Sequence, residues 1–148
     1  MRYNMTELLR RKNVDLLVEQ FWRKGYLTLS RKFGTYLPEP TSVGGFEVDV
    51  VARQKNKYAI GLTITNDDLN NQSLLLNKIN HLATSHTRNG NYPVMLFIGV
   101  KEENFKEVKL LIDQFEEDIR KNIKLFQITE RQAISKKRTA ERFQPLFS

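Results

Sequence analysis

Glu47 and Asp49, one residue apart in Phe46-Glu47-Val48-Asp49-Val50, form the chain's one carboxylate pair with the spacing of a metal site. Side chains two apart on a strand share a face, so both acids point the same way. Carboxylate oxygens are hard ligands and suit a hard divalent cation. Softer chemistry is excluded, because the chain has no cysteine, and its two histidines, His81 and His86, cannot build a histidine-rich zinc centre. His81 reads as a surface or hydrogen-bonded histidine rather than a base. Two basic clusters are candidates for phosphate contacts, Arg10-Arg11-Lys12 near the start and Lys136-Lys137-Arg138 near the end. Each has a plainer alternative, a solvated helix face for the first and a frayed end for the second.

The acid pair must be positioned by a strand hairpin. Phe46, Val48 and Val50 alternate with the acids, Ile60, Leu62 and Ile64 alternate with Gly61, Thr63 and Thr65, and Gln54 to Lys57 reads as the turn. A three-residue loop would set Asp49 opposite Gly61 or Thr63, whereas a two-residue loop would oppose it to Leu62 and mix the faces. The expected hairpin therefore has one apolar face and one face that collects Glu47, Asp49, Gly61, Thr63 and Thr65.

Around the hairpin the periodicity predicts an α/β fold with a mixed central sheet. Val14, Leu17, Val18 and Phe21 mark an amphipathic first helix over 5–24, which Gly25 ends. Trp22 and Tyr26 at its end read as core or core rim before stacking platform. A short strand over 26–30 and a Pro/Gly-marked loop over 31–45 lead into the hairpin. Polar caps from Thr65 to Asp68 open a second helix that runs to about Ser85, and a polar loop with an Asn-Gly-Asn turn signal follows. Val94 to Val100 is a continuous apolar run, as expected for a strand buried on both faces. Phe105, Val108, Leu111, Ile112, Phe115 and Ile119 keep helical spacing. A strand over 123–128 and a basic last helix through Ala140 complete the chain.

At 148 residues, 40% hydrophobic and 28% charged, the chain is expected to fold as one domain, with a core at about 13–100 and a helix-strand-helix extension over 101–148. Its net charge of +7 favours a polyanionic partner, nucleic acid before a membrane surface. No apolar run has the length of a membrane span and the N-terminal residues lack a signal-peptide core, so a cytoplasmic location without a membrane partner is expected.

The order helix, strand, strand, strand, helix, strand, with an antiparallel hairpin followed by a helical crossover, resembles the PD-(D/E)XK, or restriction-endonuclease-like, superfamily. The hairpin is most similar to that of the archaeal Holliday-junction resolvases. The resemblance covers Asn13 to Val100 and implies a site in which a strand aspartate and a Glu-x-Lys triplet hold a divalent metal and the attacking water. Asp49 matches the metal ligand, with Glu47 beside it as a metal-binding or vestigial catalytic candidate, and Asp15 stands near the place of a helical acid. The triplet should fall on Gly61-Leu62-Thr63 and is absent. Substitutes are available on the next helix, where Asp67 or Asp68 would join Asp49 at the metal, Gln72 follows them, and Lys78 would supply the cation. The resemblance implies a nucleic-acid-binding protein, DNA first, on a degenerate nuclease fold that needs no cofactor. Its alternatives are an active Mg²⁺-dependent nuclease with relocated residues and a non-catalytic adaptor, a homodimer through an exposed sheet edge included.

Overall fold

A computed structural model describes residues 5–87 and 92–128. The predicted last helix, with Lys136, Lys137 and Arg138, and the Asn-Gly-Asn turn signal lie outside the described residues. The elements in chain order are α1 (Met5–Arg23), β1 (Leu27–Arg31), β2 (Val50–Gln54), β3 (Lys57–Ile64), α2 (Asn66–Leu69), α3 (Gln72–Ala83), β4 (Val94–Lys101), α4 (Glu102–Asp113), α5 (Glu117–Arg120) and β5 (Ile123–Ile128). The strands form one five-stranded sheet in sequential order. β1, β2 and β3 pair antiparallel, and β3, β4 and β5 pair parallel, so the fold is α/β with a mixed sheet.

Helix α1 ends in a motif that fixes how it meets the sheet. Gly25 takes φ +83°, which glycine reaches without a Cβ penalty. The Tyr26 N–H then donates to the Phe21 carbonyl (2.9 Å) and the Gly25 N–H to that of Trp22 (3.0 Å), the paired bonds of a Schellman cap. The apolar contact that accompanies such caps is here a ring pair, Phe21 against Tyr26 at 5.8 Å. Phe21 also stacks on Phe97 of β4 (4.4 Å, 9°), and Phe126 of β5 meets Phe97 edge-on at 5.4 Å. Beneath α1 the sheet presents small residues, Ala52, Ala59 and Gly61, all buried. The opposite face carries Ile60, Leu62, Ile64, Leu96, Ile98 and Val100, packed with Leu75, Ile79 and Leu82 of α3 and Val108, Leu111 and Ile112 of α4.

The hairpin departs from its expected form in three ways. Its turn has two residues, Lys55 and Asn56, because Gln54 pairs with Lys57, and Lys55 takes a positive φ of 54°. Strand β2 starts at Val50 rather than Phe46, since Phe46 instead pairs with Val43 across a tight turn in which Gly44 and Gly45 both have positive φ. His81, exposed on α3, lies against that turn: a Cβ on Gly44 would come within 1.9 Å of its Nε2. Finally, neither face of the sheet is polar, because α1 covers one side and α3 and α4 the other. The two-residue loop would have opposed Asp49 to Leu62, but the Asp49 N–H donates to the Gly61 carbonyl, whose residue is already the partner of Val50. Two residues thus address one, as in a β-bulge, and the pleat is broken where the Asp49 side chain leaves the strand.

Further corrections are local. The second helix is split, with a Thr65–Asp68 capping box on α2 and a separate cap on α3, where the Asn71 side chain accepts from the Leu74 N–H. The long fourth helix stops at Gln114 and resumes as the short α5, which leaves Phe115 and Ile119 half-buried. In β1 the register shifts between Thr28 and Ser30, so Leu29 has no partner on β2.

A Cβ at Gly61 would lie 2.7 Å from Phe21 Cε2, 2.8 Å from Leu17 Cδ2 and 3.0 Å from Val50 Cβ. We therefore expect Gly61→Ala to cost about 1–3 kcal/mol through overpacking, and Leu96→Ala about 2–5 kcal/mol through the cavity it leaves. Urea denaturation checks both; a neutral Gly61→Ala would mean that α1 does not sit this close to β3.

Candidate functional site

Asp49 is only 3% exposed, and its carboxylate is anchored across the hairpin by Thr63. Its Oδ2 accepts from the Thr63 N–H at 2.7 Å and from the Thr63 hydroxyl at 2.9 Å. A buried carboxylate without partners would be costly to keep ionised, and two donors on one oxygen offset much of that cost. Its Oδ1 faces cations, with Arg10 Nη2 of α1 at 3.6 Å and Lys32 Nζ at 3.8 Å. Lys32 comes from the turn after β1 and is held by its own backbone, whose N–H donates to the Asp49 carbonyl at 2.9 Å.

Glu47 lies at the rim, its side chain mostly exposed, with Oε2 3.0 Å from Lys32 Nζ. That hydrogen bond and the Lys32 charge hold the Glu47 carboxyl below the usual range, and Arg10 and Lys78 act in the same direction. Lys78, half-buried on α3, completes the group. Burial pushes its ammonium below its ordinary value, Asp49 and Asp68 pull it back up, and Lys32 and Arg10 add to the depression. Three cations from α1, the β1 turn and α3 thus share one electrostatic neighbourhood with the buried acid.

The other candidate residues are engaged elsewhere. Asp15 pairs with Arg31 rather than approaching Asp49. The Oδ2 of Asp68 closes the α2 capping box, accepting from the Thr65 N–H at 2.8 Å and the Thr65 hydroxyl at 3.0 Å. Gln72 donates to Glu107 at 2.9 Å. Asp67 is exposed and borders a separate cavity beside Arg10. Arg11 and Lys12 are exposed on the same helix as Arg10. Among the described residues, no three His, Cys, Asp or Glu side chains are grouped to hold a metal ion. With one oxygen of Asp49 spent on Thr63 and the other turned to cations, the donor set around it fits a divalent metal poorly.

One participant, Lys32, escapes a reading of the sequence, and two others, Thr63 and Arg10, were legible there without the role they take. Lys32 reaches the site only because Arg31 pairs with Val50, a register that no local pattern announces. Thr63 stands where the resemblance puts a lysine, yet it serves as the donor that fixes Asp49. Arg10 was legible as a basic residue but not as Asp49's neighbour, since that depends on how far along α1 the helix crosses β3.

Compared with known proteins, the chain matches no family model, no curated protein and no solved structure.

Thr63→Val removes a hydroxyl donor from a buried carboxylate and should cost about 1–3 kcal/mol, read as a lower urea midpoint. Lys78→Met should leave the midpoint unchanged or raise it, because the protein environment disfavours the Lys78 charge. The sign in pH follows: a depressed lysine makes the unfolded chain bind more protons, so parent stability rises as pH climbs from the folded value towards the ordinary 10.5. Lys78→Met should lack that rise.

Proposed function

We propose that this protein binds nucleic acid through the cationic cleft around Asp49, on a restriction-endonuclease-like fold, and does not cleave what it binds. The convergence of Arg10, Lys32 and Lys78 on a single buried carboxylate carries this reading. Arg10, Lys32 and Lys78, drawn from three separate elements, exceed Asp49 and Glu47 by one positive charge, which a phosphodiester complements. The element order α1-β1-β2-β3-α2-α3-β4, with an antiparallel meander and then a parallel crossover through the split helix, supports the fold-family reading. The net charge of +7 agrees with a polyanionic partner, DNA being the first candidate. No described helix is long and apolar enough to cross a membrane.

Loss of cleavage follows from the donor set. Gly61 supplies no second carboxylate across from Asp49, Glu47 is drawn to Lys32 at the rim, and Thr63 offers a hydroxyl where a cation would stabilise developing charge. Gly61→Glu cannot restore the acid, because that position is packed under Phe21 and Leu17. One observation favours the rival reading of a metal-dependent nuclease, namely that Lys78 lies within reach of the charges of both Asp49 and Asp68.

Fluorescence anisotropy with duplex, junction and single-stranded DNA and RNA tests the proposal. Affinity should fall steeply with salt, with a log–log slope of about −0.9 per phosphate neutralised on duplex. Arg10→Gln and, in the basic C-terminal segment, Lys136→Glu with Arg138→Glu should each weaken binding by a similar factor for unrelated sequences, since phosphate contacts carry no base information. No detectable binding at low salt would sink the proposal. Incubation with Mg²⁺ or Mn²⁺ should yield no cleavage; cutting that Asp49→Asn or Lys78→Met abolishes would establish the nuclease reading instead.

A further inference from the structure

Beside the Asp49 cluster, at the carboxyl ends of β3 and β4, lies a cavity of about 310 Å³. Its wall includes Arg10, Asn13, Asn66, Asp67, Lys101 and Asn104. Three observations make it more than a surface dent. Its size reaches the lower bound of small-molecule sites, roughly 300 Å³. Arg10 borders both the cavity and Asp49, and among the described residues its buried Nε–H has no hydrogen-bond partner. An unmet charged donor in such a position costs stability unless something accepts from it. Lastly, three asparagines, Asn13, Asn66 and Asn104, stand in the polar lining. Asn104 Nδ2 donates to Asn66 Oδ1 at 2.7 Å, which leaves the Asn66 NH₂ and the Asn104 carbonyl oxygen as an adjacent donor and acceptor. Asn13, from α1, is buried in the same wall.

We propose that this cavity receives one nucleotide of a single strand or strand end, with its phosphate on Arg10 and its base against the Asn66–Asn104 amides. The wall brings Arg10 and Lys101 against Asp67, and Arg10, shared with Asp49, stands at the border where a phosphate would meet it. The amide pair agrees with this, because an unstacked base displays donors and acceptors side by side on its Watson–Crick edge. A long duplex could not enter, so the cavity would distinguish unpaired or terminal nucleotides from paired ones. Arg10 joins the two places: the phosphate that it holds lies between the Asp49 cleft, which tracks the backbone, and the cavity, which takes the base. The inference rests on the nucleic-acid reading above and adds to it the unit that is recognised.

Isothermal titration of the whole chain with a nucleoside 5′-monophosphate, the parent nucleoside and inorganic phosphate tests the pocket. The nucleotide should bind at least about tenfold tighter than either fragment, because it alone engages Arg10 and the amides together. Asn104→Leu and Arg10→Gln should each reduce nucleotide affinity by about tenfold, with far-UV circular dichroism unchanged. A nucleotide that binds no tighter than phosphate, or that ignores Asn104→Leu, overturns the proposal. Circular single-stranded and closed duplex DNA separate the two readings. If both circles bind at low salt while nucleotides do not, the cleft stands and the pocket falls; if nucleotides bind while neither circle nor a linear single strand does, the cleft reading falls and the pocket must be a small-molecule site.

Discussion

The close seating of α1 on β2 and β3 is the constraint on which the site depends. Phe21 and Leu17 approach so near to β3 that only glycine fits at position 61, and alanines fill the adjoining positions 52 and 59. The Schellman cap and the Phe21–Phe97 stack fix the helix's distance and rotation. Arg10 lies three turns up the same helix, about 16 Å from Phe21 along the axis. A helix held this firmly at one end presents its other end at a defined point, and that point is Asp49. The aromatic cluster and the charged cluster are thus two ends of one positioning device.

The charged cluster is held in place rather than stabilising. Asp49 must be desolvated to sit where it does, and Thr63, Arg10 and Lys32 offset that cost without making the arrangement favourable in itself. Lys78 makes the point more sharply, because its surroundings disfavour the charge that it carries. Groups kept in place against their own solvation are characteristic of binding and catalytic sites, where stability is given up for readiness to meet a ligand.

Much of the architecture was legible because strong periodicity marks it. The apolar run of β4, the spacing of Val14, Leu17 and Phe21, and that of Val108, Leu111 and Ile112 all match buried positions. The hairpin was less legible for two physical reasons. Alanine and glycine do not register as buried in a pattern of large apolar residues, so the α1-facing side looked polar. The extra residue at Asp49 also breaks the strict alternation on which register reasoning relies. Within the site, Asp49 and Lys78 could be singled out from their types and places. Lys32 could not, because its position is set by pairing between strands whose connection spans a long proline-marked loop.

The displaced Leu29 bears on how the molecule behaves in company. A sheet ends at β1, and an edge strand ordinarily offers a row of free N–H and C=O groups to any extended chain that drifts past. Here the regular spacing of that row is interrupted near its middle, between Thr28 and Ser30. An incoming strand could match a few bonds on either side of the break but not a continuous ladder. The irregularity is of the kind that blunts sheet edges, and it falls where Leu27 and Leu29 stand exposed at the border.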